Sequence, residues 1–452
     1  TYITNVLASA LQLLQFGRSH CWHSGLKKLV GVSGFKAGKK GARKKVVTVL
    51  HFSLHGVEKS FLLPFLQNTM ADAQQQQVDP TIQNPDVVTK YKTAAEISTR
   101  VLNQVIPLCV AGAKVFDICV EGDKLIQEGT KAVYNKAKTP KGIAFPTCLS
   151  INECVAHFSP IESDPEGATV LKDGDVVKIQ LGAQIDGYGS PIAHTVVVGA
   201  SAEKPITGAV ADAMKAAHIA LEAAIRLIKP GNKNMDVTKA VSQITDDFGV
   251  KCVEGMLTHQ QEKDVVDGKK QVILNPSEHH LRDFERVSFA ENEVYAVDIL
   301  VSTGEGKTRQ METRTTVYKK TGTRYQLKMA ASRQVLSEIN TKFGNFPFSL
   351  RDLDDQRKSR MGIIECAKHQ TVLPYDILFE RDGVVVQFLA TLLLTKNGNV
   401  KVTSPPYDPA LVKSDKELKD EELIKLVASP LKPSAKKNKK KKAAGEAEAA
   451  TA

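Results

Sequence analysis

The stretch at residues 174–198, GDVVKIQLGAQIDGYGSPIAHTVVV, constrains the fold most strongly because its pattern is that of a β-hairpin. Two runs of alternating, largely β-branched residues, 176–182 and 192–198, flank an Asp186-Gly187 pair. An Asp-Gly pair between two such runs is a strong local signal for a tight turn between antiparallel strands. We therefore predict a central β-hairpin.

One face of this hairpin is the place where chemistry could reside. Side chains alternate along a strand, so Lys178, Gln180 and Gly182 share a face. On the second strand we expect Pro191 and His194 to be the neighbours of Gln180. Whether this face can hold a metal ion therefore decides how the function is interpreted.

The same succession of elements occurs twice in the chain. Apolar residues at helical spacing predict one helix pair before the hairpin and a second pair after it, and each pair is followed by strands. The chain is therefore predicted to be an α+β protein of two duplicated halves that face each other. The predicted helices are 88–105, 115–136, 210–228 and 235–248, and the strands that follow each pair include 142–158, 251–260 and 293–303.

Composition divides the 452 residues into a body with basic appendages. Residues 1–69 contain ten Lys and Arg against one acidic residue, and residues 432–452 contain seven Lys against two Glu. Since the whole chain has a net charge of +11, the body is slightly acidic, and basic ends favour contact with a polyanion. The predicted organisation is a basic extension outside the native fold (1–69), a flexible arm (70–84), a main domain (85–404), a linker with a helix (405–430) and a disordered Lys-rich tail (431–452).

The origin of residues 1–69 is open between three interpretations. They could be a transit peptide, a basic arm or upstream sequence, and we favour the last because Met70 followed by Ala-Asp and a polar run is typical of a natural start. The seven cysteines are odd in number and form no CxxC pair, which favours reduced thiols in a reducing compartment. Apolar runs are too short for a membrane span, so we expect no membrane insertion.

Motifs along most of 87–401 resemble the type 2 methionine aminopeptidases. They are GIAFPT (142–147), NECVAHFSP (152–160), VKIQLG (177–182), VYAVD (294–298) and VQF (386–388). VVTKYK (87–92), GMLTHQ (255–260), residues 361–369 and the lysine tail are more similar to the proliferation-associated, ErbB-3-receptor-binding family. The resemblance implies a pita-bread fold of two pseudo-symmetric halves with an insertion at about 307–372. It also implies a non-catalytic protein associated with ribosomes and RNA.

The resemblance also places the enzymes' metal ligands, which are two Asp, one His and two Glu, on this chain. They fall on Gln180, Pro191, Thr258 or its neighbour His259, Asp298 and Leu389. A dinuclear hydrolytic site needs several carboxylates to bridge its ions and activate a water. One carboxylate of four remains, so we predict no metal, no other cofactor and no peptidase activity.

His157 corresponds in this resemblance to the enzymes' substrate-contacting histidine. It is either a remnant that still binds a peptide amino terminus or a residue kept for strand packing. The His279-His280 pair lacks metal-binding partners in the sequence, and no phosphate-binding glycine motif is present.

The basic surfaces are therefore the predicted binding sites. Residues 307–360 contain thirteen Lys and Arg against five acidic residues, in what we predict to be a mostly helical insertion. No signature of aromatic platforms for RNA is found, so contact with the RNA backbone is expected. The predicted RNA- and ribosome-binding residues are Lys319, Lys320, Arg324, Lys328, Arg333, Arg357, Lys358, Arg360, Lys436, Lys437, Lys439, Lys440, Lys441 and Lys442.

The function predicted from the sequence is binding of ribosomal RNA or the large ribosomal subunit, in regulation of translation and growth. The lysine run also resembles a nuclear-localisation signal, which predicts a cytoplasmic protein with a nuclear and nucleolar pool. One alternative is a nuclear transcription or signalling adaptor with nuclear or receptor-tail protein partners. A metal-dependent methionine aminopeptidase with altered ligands is the other.

Overall fold

Two helix pairs, one from each half of the chain, pack against the same side of a large sheet. The computed structural model describes residues 79–136 and 138–431. Asn84 begins the first helix, because its side chain accepts a hydrogen bond from the Asp86 amide and Pro85 follows it. The helices are α1 (Pro85–Val105), α2 (Val115–Lys131), α3 (Gly208–Leu227), α4 (Asn234–Asp247), α5 (Glu278–Asp283), α6 (Ala330–Lys342), α7 (Gln356–Lys368) and α8 (Glu421–Ala428).

Nine strands form one sheet in which the two halves meet side by side. The strands are β1 (Lys141–Ile151), β2 (Val176–Ile185), β3 (Tyr188–Val197), β4 (Lys251–Cys252), β5 (Leu257–Gln261), β6 (Gln271–Ile273), β7 (Val294–Ser302), β8 (Thr308–Gln310), β9 (Val317–Lys320), β10 (Phe348–Ser349), β11 (Val372–Pro374), β12 (Leu378–Glu380), β13 (Val385–Thr395) and β14 (Gly398–Lys401). The order in the large sheet is β1-β2-β3-β13-β7-β5-β6, with β14 paired to β13 and β4 to β7.

The predicted hairpin and duplication are both confirmed. β2 and β3 pair antiparallel from Val176↔Val197 to Ile185↔Tyr188, with Asp186 and Gly187 in the turn at φ of 55° and 83°. Positive φ at both positions is what a turn of this kind requires. The two halves meet where β3 lies beside β13, with Leu389 opposite Ala193.

Alternation along the strands separates the helix-covered core from the opposite side of the sheet. Ile179 and Leu181 of β2, with Ile192 of β3, pack on the first helix pair, and Phe388 of β13 and Ile299 of β7 pack on the second. Gln180 and Asp298 are sequence neighbours of these core residues on the same strands. Because successive side chains of a strand point to opposite faces, Gln180 and Asp298 face away from the helices.

The insertion is a small subdomain with a core of its own. It has the two predicted helices, α6 and α7, and also a three-stranded sheet in the order β10-β9-β11, which the sequence analysis did not predict. Val335, Ile339, Phe348, Ile363 and Val372 are buried together in its core.

A buried ion pair fastens the insertion to the first half. Arg351, in the single turn Leu350–Asp352, donates from Nε to Asp123 Oδ2 at 3.0 Å and from Nη2 to the same carboxylate and the Thr147 carbonyl. Its Nη1 donates to the Ser159 hydroxyl. The Arg351 and Asp123 side chains are 3% and 4% exposed.

The predicted boundaries differ from the structure in places. Residues 79–84 were expected to be part of a flexible arm, but Ile82 is buried and the Pro80 carbonyl accepts a hydrogen bond from the Tyr188 hydroxyl at 3.0 Å. The extension 1–69, the rest of the arm and all six predicted tail lysines lie outside the described residues. Of the helices in 79–136 and 138–431, none is long and apolar enough to cross a membrane.

Candidate functional site

The residues on which the resemblance places metal ligands come together in one cavity on the side of the sheet away from the helices. The cavity has a volume of about 260 Å³. Gln180, Pro191, His259, Asp298 and Leu389 all line it. Five positions that are far apart in sequence therefore converge as the resemblance implies.

Strand register explains this convergence. Gly182 is opposite Pro191 in the hairpin, and Asp298 is opposite Leu389 across the β7–β13 pair. Directly opposite residues of an antiparallel pair project to the same face, so the hairpin and the β7–β13 pair present their side chains on one side.

Of the neighbours Thr258 and His259, only His259 is at the cavity. His259 lines the cavity, and Gln271 Nε2 lies 3.4 Å from its Nδ1. The Thr258 hydroxyl instead accepts a hydrogen bond from the Asp298 amide at 3.0 Å and is buried. Burial lowers the pKa of His259, so its ring is neutral near pH 7.

His194 does not belong to this face, and the expectation that it would be a neighbour of Gln180 is wrong. Gln180 pairs with Ala193, whereas His194 pairs with Ile179. His194 therefore projects to the helix side, where its ring lies 5.4 Å from that of Phe388. Pro191 and His194 are an odd number of residues apart, so they cannot share a face of a regular strand.

Asp298 is the one carboxylate retained among the corresponding ligand positions. Gln387 Nε2 donates to its two oxygens at 2.9 and 3.0 Å. Burial raises the pKa of Asp298 to about 7, although the Gln387 hydrogen bonds favour the charged form. The Asp298 carboxyl group therefore keeps its proton until near neutral pH, whereas an ordinary aspartic acid, with a pKa of 3.8, loses its proton in mild acid.

The other side chains do not fit a pair of divalent cations. Pro191 and Leu389 have no side-chain donor atom, and Leu389 packs with Ala193 and Ala296 in an apolar cluster. The Gln180 Oε1 is buried without a hydrogen-bond partner, and it carries no charge. Within 79–136 and 138–431, no group of three or more His, Cys, Asp and Glu side chains could hold a metal ion.

His157 lies at the wall of the same cavity and is held by aromatic rings. Its ring centroid is 5.0 Å from that of Tyr375 and 5.7 Å from that of Phe145. Burial lowers the pKa of His157 to about 4, so the ring is neutral at physiological pH. Its φ of 67° is in the left-handed region that side chains other than glycine seldom adopt.

A second, larger groove of about 710 Å³ lies where the insertion meets residues 264–267, and it is lined by Lys319, Lys320 and Arg324 of the insertion and by two aspartates, Asp264 and Asp267. Lys319 is neutralised there by an ion pair with Asp267. Lys320 Nζ donates to the Asn340 side chain at 2.9 Å, and Lys320 belongs to no ion pair in the part of the chain that the structure describes. Arg324 is exposed and belongs to no ion pair among the described residues.

The remaining predicted cations of the insertion do not line this groove. Arg333 donates to the Leu327 and Lys328 carbonyls, and Arg360 pairs with Asp164 at 2.7 Å. Lys358 pairs with Asp355 at 3.2 Å, while Lys328 and Arg357 are exposed. The net positive charge of the insertion is thus distributed over separate places.

An aromatic pair at the groove was missed in the sequence analysis. The ring of Tyr325, which lines the groove, stacks on the ring of His369 with centroids 3.7 Å apart and an interplanar angle of 10°. Tyr325 is 39% exposed. The two residues are far apart in sequence, and no local pattern indicates that they meet.

This architecture defines the class of the protein: it has the two-halved pita-bread fold of metal-dependent peptidases, with apolar or uncharged residues at most of the corresponding ligand positions. The model of metallopeptidase family M24 matches residues 89–322. The chain belongs to metallopeptidase family M24.

Particular relatives cover most of the chain. It is 49% identical to the curved DNA-binding protein of Schizosaccharomyces pombe, over 81% of this chain and 96% of that protein. It is 42% identical to ErbB-3 binding protein 1 of Arabidopsis thaliana, over 84% of this chain and 96% of that protein. Among solved structures, that of a thermophilic Arx1 superposes with a TM-score of 0.73 at 35% identity, covering 77% of this chain and 100% of that one. The resemblance to the ErbB-3-binding family is thereby confirmed.

Proposed function

We propose that this chain is a non-catalytic M24 protein that binds structured RNA through the groove on its insertion. The observation that carries the proposal is the presence, at one groove, of Lys320 and Arg324 together with the partly exposed Tyr325–His369 stack. Cations contact phosphates, and an aromatic face stacks on an unpaired base. The nucleic-acid name of the Schizosaccharomyces pombe relative is in keeping with this.

The cavity chemistry supports the non-catalytic part. Two divalent cations would have only Asp298 as a charged side chain among the five corresponding positions, together with the neutral His259 and Gln180. Buried charge that lacks a counter-ion costs several kcal/mol.

The natural RNA that we propose is ribosomal RNA of the large subunit, which offers both folded helices and unpaired bases. The lysines at 436–442 would add contacts to the phosphate backbone. A cytoplasmic protein with a nuclear and nucleolar pool is part of the same proposal. A nuclear adaptor with protein partners, receptor tails included, would instead retain its partners after ribonuclease treatment.

The RNA proposal is tested by co-sedimentation with large ribosomal subunits over a salt titration. The double variant Lys320→Glu/Arg324→Glu should weaken binding at least tenfold and flatten the salt dependence, because about two phosphate contacts are lost. The matched control is Lys229→Glu/Lys239→Glu, which makes the same change in net charge at two exposed lysines outside the insertion. Equal binding by the groove variant and the wild type would remove the groove from the proposal.

The aromatic stack has a separate test. Tyr325→Ala should weaken binding to an RNA with an unpaired loop by about tenfold or more while leaving the salt slope unchanged. A fully paired duplex should bind both proteins equally. If the loop and the duplex respond alike, Tyr325 does not stack on a base.

The non-catalytic proposal is tested with Co²⁺ or Mn²⁺ and peptides that begin with Met. We expect no turnover with either metal. A metal-dependent rate that disappears in Asp298→Ala would show that this chain is a metallopeptidase after all.

A further inference from the structure

Another pocket lies where the segment before α1 meets the ends of β5 and β7. Its volume is about 380 Å³. Pro80 and Ile82 form one wall, and that wall is fixed because the Tyr188 hydroxyl donates to the Pro80 carbonyl at 3.0 Å. The pocket adjoins the candidate site only at Gln261, which lines both. It is therefore a separate place at which a ligand can bind.

Two acidic residues reach this pocket from neighbouring strands. Gln261 at the end of β5 is opposite Val294 at the start of β7. Because the two strands are antiparallel, Glu262, which follows β5, and Glu291, which comes shortly before β7, lie at the same end of the sheet. Both glutamates are exposed and line the pocket.

These two glutamates carry the unpaired charge of the pocket. Within the ranges that the structure describes, neither forms an ion pair. The other charged lining residues already have partners: Lys263 pairs with Asp186 at 3.3 Å, and Glu293 pairs with a lysine on the far side at 2.5 Å. Two free carboxylates at one pocket favour a ligand with two positive charges.

The hydroxyl of Tyr91 is a further polar group of this pocket. Tyr91 lines the pocket and is 1% exposed. Its hydroxyl has no hydrogen-bond partner among the described residues, yet the oxygen is not sealed from solvent, so it opens into the pocket. Buried polar groups normally have partners. Burial, with smaller contributions from Tyr188 and Glu262, raises the pKa of Tyr91; the hydroxyl therefore keeps its proton, and its oxygen can accept a hydrogen bond.

We propose that this pocket binds an alkyl chain with two ammonium groups, as found in a polyamine or in neighbouring lysine side chains of a basic peptide. The ammonium groups pair with Glu262 and Glu291, and one of them also donates to the Tyr91 hydroxyl. An ammonium group has three donors and no acceptor, so it suits two carboxylates and an unpartnered oxygen. The methylene groups pack on Ile82 and Val294, which line the same pocket.

Three probes with the same four-carbon chain separate the contributions: 1,4-diaminobutane, butylamine and 1,4-butanediol. Calorimetry uses the full chain at low ionic strength, freed of nucleic acid because amines also bind RNA phosphates. Diaminobutane should bind about tenfold more tightly than butylamine, because a second charge-assisted hydrogen bond is formed. Butanediol should not bind measurably. Equal affinity for diaminobutane and butylamine would overturn the pairing with two carboxylates, and absence of any binding would overturn the site.

Variants place the probe in this pocket. Glu262→Gln/Glu291→Gln keeps the shape of both side chains and should weaken diaminobutane binding at least tenfold. The matched control, Glu96→Gln/Glu128→Gln, makes the same change in net charge at two exposed glutamates of α1 and α2 and should leave binding unchanged. If the two double variants lose affinity equally, the amine binds to acidic surface in general and the proposal fails.

The hydroxyl contact has its own test. Tyr91→Phe removes only the hydroxyl and should weaken diaminobutane binding about fivefold or more; equal affinity of the variant and the wild type would refute the contact. A measurement on the unaltered protein covers the case in which Tyr91→Phe does not fold. With tyrosine labelled with ¹³C at Cζ, diaminobutane should shift the Tyr91 resonance, whereas an unshifted resonance at saturation refutes the contact.

Spermidine and the peptide acetyl-Lys-Lys-Lys-amide distinguish the two sources of the ligand. Tighter binding of spermidine supports a free polyamine, and tighter binding of the peptide supports a lysine-rich protein segment. If neither binds more tightly than butylamine, the proposal fails. Glu262→Gln/Glu291→Gln should bind RNA as the wild type does, so failure of one proposal leaves the other standing.

Discussion

The Arg351–Asp123 ion pair is expected to be the most sensitive point in the attachment of the insertion. Arg351→Met removes the guanidinium that Asp123, the Thr147 carbonyl and the Ser159 hydroxyl share. Asp123 would keep one hydrogen bond, from the Thr147 amide at 2.7 Å, but its charge would be buried without a partner. Breaking a buried pair in this way costs about 3–5 kcal/mol.

A neighbouring carboxyl group adds to the effect. Burial and the Asp123 charge raise the pKa of Asp352 to about 7. Without Arg351, the two carboxyl groups would have no cation between them, so the variant should lose more stability at pH 8 than at pH 6. Above pH 7, Asp352 is the group that ionises and repels Asp123.

Urea unfolding followed by circular dichroism measures the free energies. The double variant Arg351→Met/Asp123→Asn should be about 2 kcal/mol more stable than Arg351→Met alone, because the amide keeps the Thr147 bond without a charge. Lys358→Met is the matched control: its ion pair with Asp355 is 55% exposed on the lysine side, so it should lose less than about 1 kcal/mol. A loss of under about 1 kcal/mol for Arg351→Met would show that the buried pair does not hold the insertion in place. A double variant whose loss equals the sum of the losses of the two single variants would show that Arg351 and Asp123 are not coupled.

Three further predictions concern buried groups. Asp298 has a folded pKa of about 7 against 3.8 for the free group, so its contribution to stability falls as pH rises from about 4 to 7; Asp298→Asn should abolish that fall in pH-dependent urea unfolding. Burial lowers the pKa of Lys178 to about 7, so stability should rise between about pH 7 and 10. Lys178→Met should remove this rise and be more stable than the wild type at pH 7, whereas a less stable variant would contradict it. The midpoint temperature of thermal unfolding should not change with EDTA or with added Co²⁺. A midpoint that rises with Co²⁺ or falls with EDTA would show that the protein binds a metal ion.

Local signals predicted the backbone of the candidate site well. The hairpin follows from Asp186-Gly187 and the alternation around it, because turn geometry and strand period are both local properties. The convergence of Gln180, Pro191, Asp298 and Leu389 followed from family resemblance, which carries register information that a single sequence does not contain. Thr258 and His259 could be separated only by the structure, since one residue of register exchanges the two faces of a strand.

What the sequence could not provide were contacts between distant elements. Lys319 and Arg360 looked like free cations, yet each pairs with an acid from outside the insertion, Asp267 and Asp164 respectively. The Tyr325–His369 stack likewise depends on tertiary packing. Counting charged residues predicts whether a surface is positive or negative overall. Which of its cations are available to a ligand depends on ion pairs such as these, which form only in the folded protein.

The apolar cluster of Ala193, Ala296 and Leu389 at the junction of the two halves has an evolutionary consequence. Restoring a carboxylate at Leu389 alone would place a charge between two alanines, with no cation to compensate until the other ligand positions had also changed. A carboxylate at position 389 alone should therefore lower the free energy of unfolding, because its charge would be buried in apolar packing without a counter-ion. A metal site could arise here only if several of the corresponding positions changed together.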